Sequence, residues 1–497
     1  MQNELPNKES VAATWTPATG PDRYATCVDR RAFLRGGAAL FGGAALAGPL
    51  QGLMARQAMA AGPIASPYGP IAPVADENTG LELLQLPEGF KYWSFGWTGD
   101  PLTDGTPTPA LHDGMGVVRT LGSTGKLILC RNHEVNVAPA FSLGDYTYSP
   151  GAGGGNTNLV WNTETQQLEE SWASLAGTIR NCAGGVTPWG SWISAEETFS
   201  TSAGGAYKHG YCFDIPANGK GSNNARPLVE MGRFAHEAVC VDPATGIVYE
   251  TEDGPSVDGD TGSGFYRFIP NLNGQLHRGG KLEMLAVVGA PQTSLKLTAT
   301  TDAVTTFDTT WVPIAIPDPN PPADASVFQQ GFALGGITFN RLEGCWFGDG
   351  KVYFVSTTGG PNGEGQVWEY DPTAEKLRLI YNSQSQADCE NPDNIVVTPR
   401  GALILCEDNS GSTSNDAERL LGLTLAGDIF IFAKNNIDFN TLGAYTRPES
   451  GITFTGNQRQ NEWAGACFSA DGLWMFVNIQ TPGVTFAITG PWANGPL

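Results

Sequence analysis

Acidic side chains recur in this sequence at both ends of short apolar runs, and no other feature is better able to do chemistry. They are Asp113 and Glu134; Glu196 and Glu197, with Cys182 at the start of the same segment; Glu237, Glu252 and Asp253; Glu343; Glu390, Asp393, Glu407 and Asp408; and Glu462. Carboxylates gathered on one rim would repel and raise one another's pKa, and bound cations remove that penalty. Oxygen donors in such excess suit a hard ion such as calcium, which takes about six to eight of them. Cys182 adds one thiolate, a softer ligand that favours a transition metal. A mixed site, calcium beside iron or manganese, meets both tendencies. Zinc fits less well, because few of the five histidines are placed to serve as ligands and no zinc-type Cys/His spacing occurs.

Taken singly, each acid has a bland explanation. A Glu-Asp pair at a strand end is commonly solvated, Asp393 can cap a turn after Pro392, and His236 can be a buried structural histidine. Asn132 and Asn181 can close Asx-turns. The argument for a shared site is the register in which the acids recur.

That register comes from six segments that share one pattern: polar start, strand, turn with Gly, strand, polar end. They run from His112 through Gly125 to Glu134, Asn181 through Gly190 to Glu197, and His236 through Gly246 to Asp253. The remaining three run from Glu343 through Gly350 to Thr358, Glu390 through Gly401 to Asp408, and Glu462 through Gly472 to Gln480. Asp349-Gly350 and Asp471-Gly472 are strong hairpin turns, and the flanking runs, such as Val352-Tyr353-Phe354-Val355, are β-branched or aromatic. No stretch beyond the N-terminal sixty residues holds a helical period. The sequence therefore predicts an all-β fold, a six-bladed β-propeller with inserted loops, in preference to a pair of β-sandwiches. In a hairpin the start of one strand and the end of the next lie at the same edge. A propeller would gather the acids at one rim of its central channel.

The N-terminus predicts export. Asp29-Arg30-Arg31-Ala32-Phe33-Leu34-Arg35 reads as a twin-arginine signal, followed by a Gly/Ala-rich apolar stretch from Gly36 to Leu50 and a cleavage site at Ala58-Met59-Ala60. Residues 1–60 are expected to be removed and 61–497 to form the propeller, periplasmic or secreted, with no stable membrane association. A monomer is expected. The net charge of -22 argues against nucleic acid as a partner. Most cysteines sit inside apolar strands and are expected to be buried and unpaired.

Asn132-His133-Glu134, the block Asn181-Cys182-Ala183-Gly184-Gly185-Val186-Thr187-Pro188-Trp189-Gly190, and Glu196-Glu197-Thr198 resemble the PhoX-type alkaline phosphatases. So do His236-Glu237-Ala238, Thr251-Glu252-Asp253-Gly254, Asn391-Pro392-Asp393-Asn394, Cys406-Glu407-Asp408 and the stretch from Asn461-Glu462-Trp463 to Pro491-Trp492. The resemblance implies an exported propeller that hydrolyses phosphate monoesters, with Fe3+ and Ca2+ in its cleft and Mn2+ as an alternative to iron. It maps an iron-binding cysteine onto Cys182, and metal-binding glutamates onto Glu196 or Glu197, Glu237, Glu252 and Glu390. Two departures touch substrate choice: Ala195 stands where a cysteine is frequent, and no arginine stands beside Glu390. Arg180 and Arg459 are candidate phosphate clamps, and with Cys182, Glu196 and Glu197 they complete the expected catalytic set. Other readings are a metal-dependent phosphodiesterase, a phytase-like enzyme or lactonase, or a metal-stabilised binding propeller without catalysis.

Overall fold

The computed structural model describes residues 62–497, apart from 123–124, 137–146, 203–204, 220–224, 300–304 and 409–416. The proposed export signal lies outside the described residues. The described residues form one compact unit. Among the described residues no helix is long and apolar enough to cross a membrane.

All six hairpins legible in the sequence form, and each is the innermost pair of one blade. The inner strands are His112–Leu121, Asn181–Val186, His236–Val241, Leu342–Gly348, Pro392–Val397 and Trp463–Phe468. Each packs against the next, and the sixth returns to the first, so blades 1 to 6 close around one axis. The ring is latched by an early strand. Lys91–Phe95 pairs antiparallel with Val484–Thr489 and completes blade 6, while Leu84–Pro87 extends blade 5 beside Ile429–Asn435. Blades 3 and 4 are further joined through the insertion between their hairpins. Thr306–Pro313 pairs with Gly280–Val287 on one side and with Lys376–Asn382 on the other.

The strands read as nearly continuous apolar runs because both faces of every blade are covered by a neighbour. Between blades 6 and 1, Phe95 stacks on Trp161 with ring centroids 4.6 Å apart. Between blades 3 and 4, Phe265 stacks on Phe354 at 4.3 Å. Burying one such ring stabilises the fold by roughly 1.5–3 kcal/mol. All eight described cysteines are buried and form no disulfide; for those inside apolar strands, such as Cys130, Cys240 and Cys406, this is the expected outcome.

Blade ends facing the acidic rim share one irregularity. In every blade the first hairpin loses register just inside its start: between His112 and Met115, Asn181 and Gly184, His236 and Val239, Leu342 and Cys345, Pro392 and Ile395, and Ala464 and Cys467. A bulge re-aims a side chain that the regular pleat would send between the blades. The residues re-aimed are Asp113, Cys182, Glu237, Glu343 and Asp393, with Gly465 in the sixth blade. Gly465 has φ +64°, and a Cβ there would lie 2.6 Å from the Asp113 carbonyl oxygen, so only glycine fits.

Candidate metal centre

The bulged residues meet on the axis. Cys182, Glu197 and Glu237 bring ligand atoms within 4.8 Å of one another, and Glu237, Glu343 and Asp393 form a second such group. Glu237 belongs to both. Neither of its buried carboxylate oxygens accepts from a nitrogen or hydroxyl group, and the neighbouring donor is the Cys182 thiol. Behind Cys182, the Asn132 amide donates to the carbonyls of Cys182 (3.0 Å) and Ala183 (2.6 Å), fixing the bulge. Next to the bulged acids, small residues such as Gly114, Ala183, Ala238 and Gly344 line a narrow void of about 10 Å³.

Further acids come, in four of the six hairpins, from the residue after the last ladder pair. Those pairs are His112 with His133, Asn181 with Glu196, His236 with Glu252, and Pro392 with Glu407. Each following residue, Glu134, Glu197, Asp253 and Asp408, joins the axial acids. Glu134 and Asp113 both accept hydrogen bonds from the Gln480 amide, at 2.9 and 3.2 Å. Asp408 raises the pKa of Asp393, Glu134 and Glu462 by its charge.

The electrostatics describe a site built for cations. Burial, then mutual repulsion, pushes the carboxyls of Asp113, Glu197, Glu237, Glu343 and Glu462 well above the usual carboxylate range. The same causes move Asp393 up to about 7 and the Cys182 thiol well above its ordinary value. Without positive charge this many buried acids cannot ionise together. The donor set, mostly carboxylate oxygen with one thiol, fits hard ions beside one softer ion.

Two guanidinium groups border the acids. Arg180 bridges Glu134 (2.8 Å) and Glu197 (2.5 Å). Arg341 bridges Asp253 and Glu343, each at 2.9 Å, and both side chains remain about two-fifths exposed. Arg180 and Arg341 each stand two residues before a bulged ligand, Cys182 or Glu343, and both have positive φ, 50° and 48°. The sequence reading missed Arg341, although its spacing to Glu343 repeats that of Arg180 to Cys182.

Five expected site residues are not brought into this cluster. Glu196 accepts from His209 Nδ1 (2.6 Å) and from the backbone N–H groups of Ile179, Gly210 and Tyr211. Glu252 is held by Ser256, Gly264 N–H and the Tyr266 hydroxyl, which donates at 2.6 Å. Glu407 forms a bidentate pair with Arg419, 2.6 Å on each oxygen, and also accepts from the Glu390 N–H. Glu390 lies beside that pair, contributing to the charge around Arg419. Arg459 donates to Asn457 in an exposed turn. The reason is shared by the first three: the last ladder pair of a hairpin sends its side chains between blades, and the next residue goes to the axis.

A propeller whose inner strands bulge to aim buried carboxylates and a thiol at one shared site has the makings of a metal centre. The chain belongs to the alkaline phosphatase PhoX family, whose model matches residues 66–167 and 150–483. It is accordingly a metal-dependent alkaline phosphatase acting on phosphate esters. Among solved structures it is similar to Pseudomonas fluorescens PhoX in complex with vanadate, a transition state analogue. That match has 16% identity, a TM-score of 0.58, and coverage of 86% of this chain and 99% of the other. That likeness shows the fold. A gluconolactonase from Xanthomonas campestris matches at 11% identity and a TM-score of 0.39, over 85% of this chain and 98% of its own. No curated protein matches the chain.

Proposed function

We propose that the axial cleft is the catalytic centre for phosphate monoester hydrolysis. One iron ion would be held by Cys182, Glu197 and Glu237, and calcium by Glu237, Glu343, Asp393 and the surrounding acids. Manganese would be the substitute for iron. The observation that carries this reading is the pair of ligand groups sharing Glu237, whose two buried oxygens meet no nitrogen or hydroxyl donor and have only the Cys182 thiol nearby. Bound there, the ions would supply Lewis acidity and charge neutralisation for phosphoryl transfer to water.

The chain's own residues supply the rest. Arg180 and Arg341, part-exposed and anchored by carboxylates, would clamp phosphate oxygens at the mouth. The Arg180 Nε–H is buried with no acceptor, a donor left over for an anion. Gln480 would keep Glu134 and Asp113 in place, and Asn132 would hold the Cys182 bulge. Residues 1–60 would direct twin-arginine export to the periplasm, and 61–497 would act there as a monomer on small esters.

The test is chelation followed by re-addition of ions. Activity on p-nitrophenyl phosphate should vanish in strong chelator and return with calcium plus iron but not with zinc. Full turnover by protein shown to be metal-free would end the proposal.

A further inference from the structure

A second group of metal-type ligands lies away from the axis, buried between blades 2 and 3. Cys212 opens the outer strand Cys212–Pro216 of blade 2, His236 begins the inner strand of blade 3, and Glu250 sits within its second strand, Val248–Glu252. Their ligand atoms lie within 4.8 Å of one another, and all three side chains are fully buried. His236 Nδ1 is 3.5 Å from Cys212 Sγ and 3.3 Å from Glu250 Oε2. A tetrahedral ion with bonds of about 2.0 Å to oxygen, 2.05 Å to nitrogen and 2.3 Å to sulfur needs edges of about 3.3 Å (N to O) and 3.6 Å (S to N).

Two further observations point to a ligand. His236 Nε2 lies 3.1 Å from the Gly232 carbonyl, which can only accept, so the proton sits on Nε2 and the Nδ1 lone pair faces the cluster. Neither oxygen of Glu250 accepts a hydrogen bond. The single Nδ1 lone pair can accept from the Cys212 thiol or from a protonated Glu250 carboxyl but not from both, so without an ion one of the two fully buried groups is left unsatisfied. One divalent cation satisfies all three side chains, with Glu250 free to chelate through both oxygens.

We propose that Cys212, His236 and Glu250 form a closed structural site for a zinc-type divalent transition ion that fastens blade 2 to blade 3. The site is independent of the axial cleft. His236 serves it while its neighbour Glu237 turns to the axis.

Cobalt reports thiolate ligation by a near-ultraviolet charge-transfer band, so it serves as the probe. Cys182→Ser protein, which lacks the axial thiol, should show that band when produced with Co2+ as the supplied transition ion. The band should disappear in Cys182→Ser/Cys212→Ala protein. Should that variant not fold, Cys182→Ser/Glu250→Gln, which preserves shape, should keep the fold and bind Co2+ at this site at least tenfold more weakly. Absence of the band in Cys182→Ser protein, or a band unchanged by both further substitutions, would overturn the assignment.

Discussion

Removing the ions should make this protein's stability depend on pH in a direction opposite to that of most carboxylate-rich folds. In the metal-free state Asp393 has a pKa of about 7 against an ordinary 3.8, because it is buried and faces Asp408. A carboxyl raised in the folded state carries no penalty below its unfolded pKa. It then loses stability progressively as pH rises, until the folded pKa is passed. For Asp393 alone the loss between pH 4 and pH 7 is on the order of 4 kcal/mol at 1.36 kcal/mol per pKa unit. In a chain of this size that lowers Tm by roughly 4 °C. Asp113, Glu197, Glu237, Glu343 and Glu462 are shifted the same way and add to the effect. The assay is calorimetry of chelated and metal-loaded protein at intervals from pH 5 to 8. Chelated protein should melt lower at each step upward in pH, while the loaded protein, whose acids are held ionised by cations, should not. A chelated Tm that is flat or rises over that range would refute the reasoning.

Other expectations follow from the same geometry. Glu197→Gln should abolish most turnover with little change in Tm, whereas Glu196→Gln should retain bound ions but lose about 1–3 kcal/mol of stability through His209 and the amides it satisfies; metal analysis and calorimetry separate the two. Arg341→Gln should lower kcat/KM on a phosphate monoester by roughly 10- to 100-fold, the loss of charge-assisted hydrogen bonds. Unchanged kinetics would remove Arg341 from substrate binding. Gly465→Ala should destabilise the protein by at least about 2 kcal/mol, since its Cβ would meet the Asp113 carbonyl in a backbone conformation that disfavours alanine; urea melts measure it.

The hairpins were legible because their turns and apolar strands are local signals: Asp349-Gly350, for example, closes a two-residue loop between Gly348 and Lys351. The gathering of acids followed, since hairpin geometry places strand starts and ends together. Which member of Glu196-Glu197 or Glu252-Asp253 faces the axis was not legible. That depends on a bulge and on the last ladder pair, and neither leaves a mark in residue type. The latch by Lys91–Phe95 was hidden for a related reason: its partner, Val484–Thr489, lies at the other end of the chain. Arg341 could have been found by applying the Arg180–Cys182 spacing to every repeat. Cys212, His236 and Glu250 could not, because three strands of two blades must pack before their side chains meet.

The most direct measurement is anomalous diffraction from crystals of protein produced with iron and calcium, recorded on both sides of the iron edge. An iron peak between Cys182, Glu197 and Glu237, with calcium beside Glu343 and Asp393, is the predicted result. Ions bound elsewhere, with the axial carboxylates paired only to protein groups, would contradict it.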